Sequence, residues 1–181
     1  MHPGKPEGRA AAAGPVPVSA APANEVRQPK PLGFTDLRKW LRHRHPMVLL
    51  DRITDHEPGK FLEALISISG NVDCIAGHFP ERAIYPGSNL MQANAQAGII
   101  LYQMSTSMLA EDELTLIGSV DSRFFKVVVP GDQIVLRITA NRLVGNMFQY
   151  SGKMTVGASR VAAFRASLVR TKVSDLGSPL W

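Results

Sequence analysis

The stretch that most constrains this chain follows Pro86-Gly87. Leu90, Met91, Ala93, Ala95, Ala97, Ile99, Ile100, Leu101 and Met104 spread over nearly every face of a helix expected from Ser88 to about Met108. A helix apolar almost all round lies inside a core, so the rest of the chain must wrap it. Three amides, Asn89, Gln92 and Gln96, interrupt its apolar surface, and Gln92 and Gln96 are spaced to share one face. A buried amide needs a partner or a ligand, because an unpaired polar group in apolar surroundings costs about 1–3 kcal/mol. The preceding loop, Gly70 to Gly87, is polar and carries one histidine, His78. A histidine loop is thus delivered to a helix N-terminus, whose free N–H groups favour negative charge developing on a carbonyl oxygen.

The strands that wrap the helix follow from alternation and turns. A hairpin is expected from a strand at 48–53, a Pro58-Gly59 turn and a strand at about 61–69. After Glu111-Asp112-Glu113 the chain reads as strand only: a long bent run at about 114–129, then Ile134, Leu136 and Ile138 in alternation. Gly145-Asn146 and Gly157-Ala158-Ser159 turn two further strands, the last at about 161–171. Ahead of the hairpin, Thr35 or Asp36 is expected to cap a short helix through Leu37, Trp40 and Leu41. One long helix against a single curved antiparallel sheet, an α+β fold, gives each strand one wet face.

The 181 residues suit one folded domain, expected at 32–173. Residues 1–31 are rich in Ala, Pro and Gly, lack large apolar side chains, and read as a disordered arm; 174–181 read as a tail. The prolines of the arm argue against a signal peptide, and its few arginines give little support to a transit peptide. No apolar run approaches the roughly 18 residues of a membrane helix. The single cysteine, Cys74, leaves no intrachain disulfide and fits a reducing compartment, so a cytoplasmic location is expected. It reads as a buried thiol. His43 and His45 read as packing residues, and with no third ligand in view neither a metal nor any other cofactor is expected. The net charge of +5 is compatible with nucleic acid, with an acidic carrier protein or with a plain solvated surface.

Several motifs in order carry a family resemblance. They are Leu41-Arg42-His43-Arg44-His45-Pro46, Leu49-Leu50-Asp51-Arg52, Gly77-His78-Phe79-Pro80, Pro86-Gly87, Ala95-Gln96-Ala97, Arg123-Phe124 and Val128-Val129-Pro130-Gly131-Asp132-Gln133. Over about 41–173 the chain resembles the FabZ-type (3R)-hydroxyacyl-[acyl-carrier-protein] dehydratases, which have the hot-dog fold. That resemblance implies a hydro-lyase that takes water from a carrier-bound 3-hydroxyacyl thioester to give the trans-2-enoyl thioester, in fatty acid or polyketide and polyene biosynthesis. It implies His78 as the base that removes the α-proton. It places the thioester carbonyl near Phe79 and Gly87, and the substrate beside Pro86, Ser88, Asn89 and Gln96. Arg123 and Lys126 become contacts for an acyl carrier protein, and nucleic acid and membrane drop out as partners.

One departure stands out. The family's second catalytic residue is a glutamate on the central helix, given by the other subunit of a dimer, and its position here is Gln92. A carboxamide hydrogen-bonds a hydroxyl but exchanges no proton with it at neutral pH, and losing a general acid typically costs ~10²–10⁴ in rate. Lesser departures are His45 for a usual tyrosine, and Asn89 and Asn94 for usual apolar residues. The expected assembly is a homodimer, or a heterodimer with a Glu-bearing paralogue that supplies the acid. The alternatives are a hot-dog acyl thioesterase and a catalytically silent acyl-binding or scaffolding subunit.

Overall fold

The computed structural model describes residues 27–79 and 81–178. The elements run α1 (Phe34–Trp40), β1 (Arg52–Glu57), β2 (Phe61–Ser67), α2 (Asp73–His78), α3 (Gly87–Ser105), β3 (Glu113–Phe124), β4 (Gln133–Val144), β5 (Met147–Val156), β6 (Ser159–Lys172) and a 3₁₀ turn (Val173–Leu176). The strands form one antiparallel sheet in the order β1-β2-β4-β5-β6-β3. The expected architecture, a long helix wrapped by a curved sheet, is what the chain adopts.

Alternation explains the wrapping. Leu62, Ala64 and Ile66 of β2, Ile134, Leu136 and Ile138 of β4, Phe148, Tyr150 and Met154 of β5, and Ala162, Phe164 and Leu168 of β6 are buried. They meet α3, whose Leu90, Ala93, Ala97, Ile100 and Leu101 are buried in the same core. Helix and sheet come close at Gly98, where a Cβ would sit 2.6 Å from the Tyr150 ring. Tyr102, Phe148 and Tyr150 form a stacked row beside it, with centroids 5.2 and 5.6 Å apart.

The strand turns need little explanation beyond Gly59, Gly145 and Gly157, each at positive φ. The β3 strand pairs only with β6 among the described residues, so it forms a free edge, and Leu116, Ile117 and Phe124 on or at its end are exposed.

Several local expectations need correction. Helix α1 begins earlier, at Phe34, with Gly33 as its cap; Thr35 and Asp36 lie inside it, and no side chain caps it. Asp36 instead bonds Lys39. The first strand is not 48–53 but Arg52–Glu57. Ahead of it, Asp51 N–H still bonds the Leu65 carbonyl at 3.0 Å, while residues 47–49 are held by a side chain, as described below. The segment from Gly70 to Gly87 is not all loop, since it contains α2. The β3 strand stops at Phe124, and α3 stops at Ser105, where Thr106 leaves helical geometry.

Of the expected arm, residues 1–26 lie outside the described residues. The part that follows is fastened to β1: Arg27 forks onto the Asp55 carboxylate, Lys30 N–H donates to the same group at 3.0 Å, and Leu32 bridges Ile53. Of the expected tail, Ser174 to Leu176 complete the 3₁₀ turn, and 179–181 lie outside the described residues.

Candidate active site

His78 is the last residue of α2, and Phe79 turns the chain out of the helix. The imidazole Nδ1 lies 2.9 Å from the Ile84 carbonyl oxygen. A carbonyl only accepts, so Nδ1 carries the proton and Nε2 is left as the basic nitrogen. The ring packs on Phe79 with centroids 4.2 Å apart. His78, Gly87, Leu90, Phe124 and Lys126 are among the residues that line a cavity of 280 Å³.

The N-terminus of α3 forms the opposite wall. Pro86 supplies the cap position, and its carbonyl accepts from the N–H groups of Asn89 (3.1 Å) and Leu90 (3.3 Å). The N–H groups of Gly87 and Ser88, and that of Phe79, have no partner among the described residues. They are the orphan donors that a helix start and a chain turn leave behind, and they suit an oxygen that gathers negative charge. The Phe124 ring covers Gly87 so closely that a Cβ there would lie 3.2 Å from it.

Asn89 sits beside Cys74 and Tyr85. Burial pushes the Cys74 thiol up from its ordinary value, so it stays protonated and is a poor nucleophile at neutral pH.

Gln92 lies elsewhere. It lines a second cavity of 530 Å³ together with His43, Met91, Thr115 and Ile117. Its Nε2 reaches the Met47 carbonyl only at 3.5 Å. Gln96, one turn on, lines the same cavity, but both ends of its amide are occupied: Oε1 accepts from Leu49 N–H at 3.0 Å and Nε2 donates to the Met47 carbonyl at 2.5 Å. Gln96 therefore replaces the ladder that residues 47–49 lack, and offers the cavity its stem. Within one chain, His78 and Gln92 are not brought together.

Of the two cations expected at a carrier contact, Lys126 lines the His78 cavity and bonds Ser159 Oγ at 2.8 Å. Arg123 lines an adjoining groove of 410 Å³ with Arg160 and Arg165. Phe125 belongs to both walls, and the Arg160 guanidinium lies 4.1 Å over its ring. Sequence reasoning missed Arg160 and Arg165. The signal lay in the β3–β6 register, which sets Arg165 opposite Asp121 and Ala163 opposite Arg123.

Comparisons with known proteins place the chain in a family. Residues 41–165 match the FabA-like domain family. The chain is 52% identical over 157 residues to coronafacic acid dehydratase of Pseudomonas savastanoi pv. glycinea, covering 87% of this chain and 95% of that one. It is 38% identical over 133 residues to the 3-hydroxyacyl-[acyl-carrier-protein] dehydratase FabZ of Haemophilus ducreyi, covering 73% and 86%. Among solved structures it is similar to the dehydratase heterocomplex ApeI:P from Xenorhabdus doucetiae, with a TM-score of 0.66 over 77% of this chain and 93% of that one. At 13% identity that last likeness speaks for the fold alone.

Proposed function

This chain belongs to the FabA-like family, and from that premise we propose that it is a dehydratase of 3-hydroxyacyl chains carried as thioesters on an acyl carrier protein, in fatty acid or polyketide assembly. His78 Nε2 takes the α-proton, and the Cα–H electrons become the new double bond. The Cβ–O bond breaks, and the oxygen leaves as water after gaining a proton. Charge building on the thioester oxygen is met by the N–H groups of Phe79 and Gly87.

The observation that carries this reading is the bond from His78 Nδ1–H to Ile84, which fixes a basic Nε2 on a residue that lines the cavity at the start of α3. The β-hydroxyl is the incomplete part. Gln92 can hold the leaving oxygen but cannot protonate it. Gln92 is therefore assigned a place opposite the histidine of a second subunit, across a dimer in which the free β3 edge is covered. A Glu-bearing paralogue as that subunit would complete one site, with His78 from this chain and the acid from the other. ApeI:P, which shares the fold, is itself a dehydratase heterocomplex. Carrier docking is assigned to Lys126 and Arg123, with Arg160 added, because these cations flank the two cavities that meet at Phe125.

The test is an enoyl-formation assay on a 3-hydroxyacyl carrier thioester, with the protein alone, with a copurifying paralogue, and as His78→Ala. The expected result is slow turnover alone, faster turnover with a Glu-bearing partner, and none for the variant. Equal rates for the variant and the parent would refute the assignment, and thiol release from a saturated acyl thioester would point to hydrolysis instead.

A further inference from the structure

The groove of 410 Å³ beyond Phe125 gathers more positive charge than the fold uses. Phe148, Tyr150 and Met154 of β5 and Ala162, Phe164 and Leu168 of β6 are buried against α3, so Ser151, Ala163 and Arg165 between them face outward. The strand register sets two rows on that outer face. Ser151, Arg165 and Asp121 share one row, and Lys153, Ala163 and Arg123 share the next. Ser151, Gly152 and Ala163 are small, which makes the floor concave, and Arg123, Arg160 and Arg165 stand around it.

None of Arg123, Lys153, Arg160 and Arg165 makes an ion pair among the described residues, and Asp121, though opposite Arg165, makes none either. Like charges crowded around a concave site raise the local concentration of a polyanion. Guanidinium forks match phosphate oxygens in pairs, and Arg160 is already held in place by the Phe125 ring. The volume is that of a small-molecule site, roughly 300–1,000 Å³, and a folded protein surface does not enter such a space. Phe125 also lines the His78 cavity, so a ligand in the groove is continuous with a thioester beside His78. From Phe125 to Asp121 the groove follows the chain for about 13 Å, at roughly 3.3 Å per residue.

We propose that this groove holds the phosphorylated nucleotide end of a coenzyme A thioester, so that the chain dehydrates 3-hydroxyacyl groups on that soluble coenzyme as well as on a carrier protein. The acyl end rests on the dehydratase reading, and the nucleotide end goes beyond it. Charge decides between the two thioesters. The pyrophosphate and 3′-phosphate of the coenzyme bring about four negative charges, which four cations match, whereas the arm of a carrier brings a single phosphodiester. Arg123 and Arg160 serve both substrates, and Arg165, deeper along β6, serves the nucleotide. The pantetheine arm passes Phe125 on its way to His78.

The test compares one 3-hydroxyacyl group on pantetheine, on coenzyme A and on a carrier protein, using full-length protein at fixed ionic strength. The coenzyme A thioester should show a KM at least about tenfold below that of the pantetheine thioester, at equal kcat. Arg165→Ala removes a cation, and Ala163→Leu fills the floor with every charge left in place. Each should bring that ratio close to one and leave kcat on the pantetheine thioester unchanged. Equal KM for the two small thioesters, or an unchanged ratio in Ala163→Leu, overturns the proposal. A loss confined to the carrier thioester gives the groove to the carrier and overturns it too. Adenosine 3′,5′-bisphosphate, titrated by calorimetry, reads the groove without turnover. If no thioester is dehydrated and this probe still binds, about tenfold more weakly in both variants, the nucleotide site stands and the dehydratase reading falls. Absence of probe binding sinks the site.

Discussion

His78 ends α2 beside the start of α3 and Gln92 lies on α3, yet the two open into different cavities of one chain. A site built from both must take them from two subunits, which makes a mixing experiment decisive. Under the proposed shared site, wild-type protein should be slow, and the double variant His78→Ala/Gln92→Glu should be inactive alone. Re-dimerised together they should form one site with His78 from one chain and Glu from the other, at a rate ~10²-fold above wild type or more. Gln92→Glu alone should show a similar gain. Rates for the mixture that never exceed wild type would contradict a shared site.

Gln96 supplies the two shorter hydrogen bonds that hold residues 47–49 over α3. Gln96→Leu keeps the volume, strands the Leu49 N–H and leaves the Met47 carbonyl only its 3.5 Å contact with Gln92. Leu49 is only half-buried and Met47 is exposed, so the expected loss is about 0.5–1.5 kcal/mol for each lost bond, read as a lower urea midpoint at unchanged m-value. Gln96→Glu should lose at least as much, because a carboxylate still accepts from Leu49 but turns its other oxygen on the Met47 carbonyl and places a charge at a fully buried position. A Gln96→Leu variant as stable as the parent would show that the segment is held by something else.

Asn94 is wholly buried, and its Oδ1 fills the space where Gly152 lacks a side chain: a Cβ at 152 would lie 1.9 Å from that atom. Gly152→Ala should therefore destabilise by about 1–3 kcal/mol or more through overpacking. Asn94→Ala empties the contested space, so the double variant should lose less than the sum of the two singles. A thermal-denaturation cycle measures that coupling, and strict additivity would refute the contact.

The Asp55 carboxyl is held well below its ordinary range, first by its hydrogen bond to Arg27, against an opposing push from burial, with further help from the Lys30 and His56 N–H groups. A carboxylate with a depressed folded-state pKa stabilises the fold above its unfolded value, near 4, and that contribution is lost as pH falls toward the folded value. Stability should drop as pH is lowered from about 4, and Asp55→Asn should flatten the drop. Denaturant midpoints from pH 6 to 2 check this; parallel curves for parent and variant would remove Asp55 from the account.

The core of the fold was legible because its signals are local. Nine apolar residues around one helix, and alternation in β2, β4 and β5, dictate which faces meet. Helix α2 was not legible: it is six residues long, has no side-chain cap, and contains Gly77. Gln96 could be recognised as a buried amide, but its partners lie 47 and 49 residues away and leave no local trace. The separation of His78 from Gln92 had a readable sign. Five residues after Gly87, a helix has turned by about 140°, so Gln92 faces away from the Gly87 side. Arg160 needed the strand register, which alternation alone does not give.

Strand β3 is at once a wall of the larger cavity and the open border of the sheet. Whatever docks along that border presses on the lining from behind. Chain preference then becomes a property of the pairing, and exchanging one neighbour for another would retune it with no change to this polypeptide.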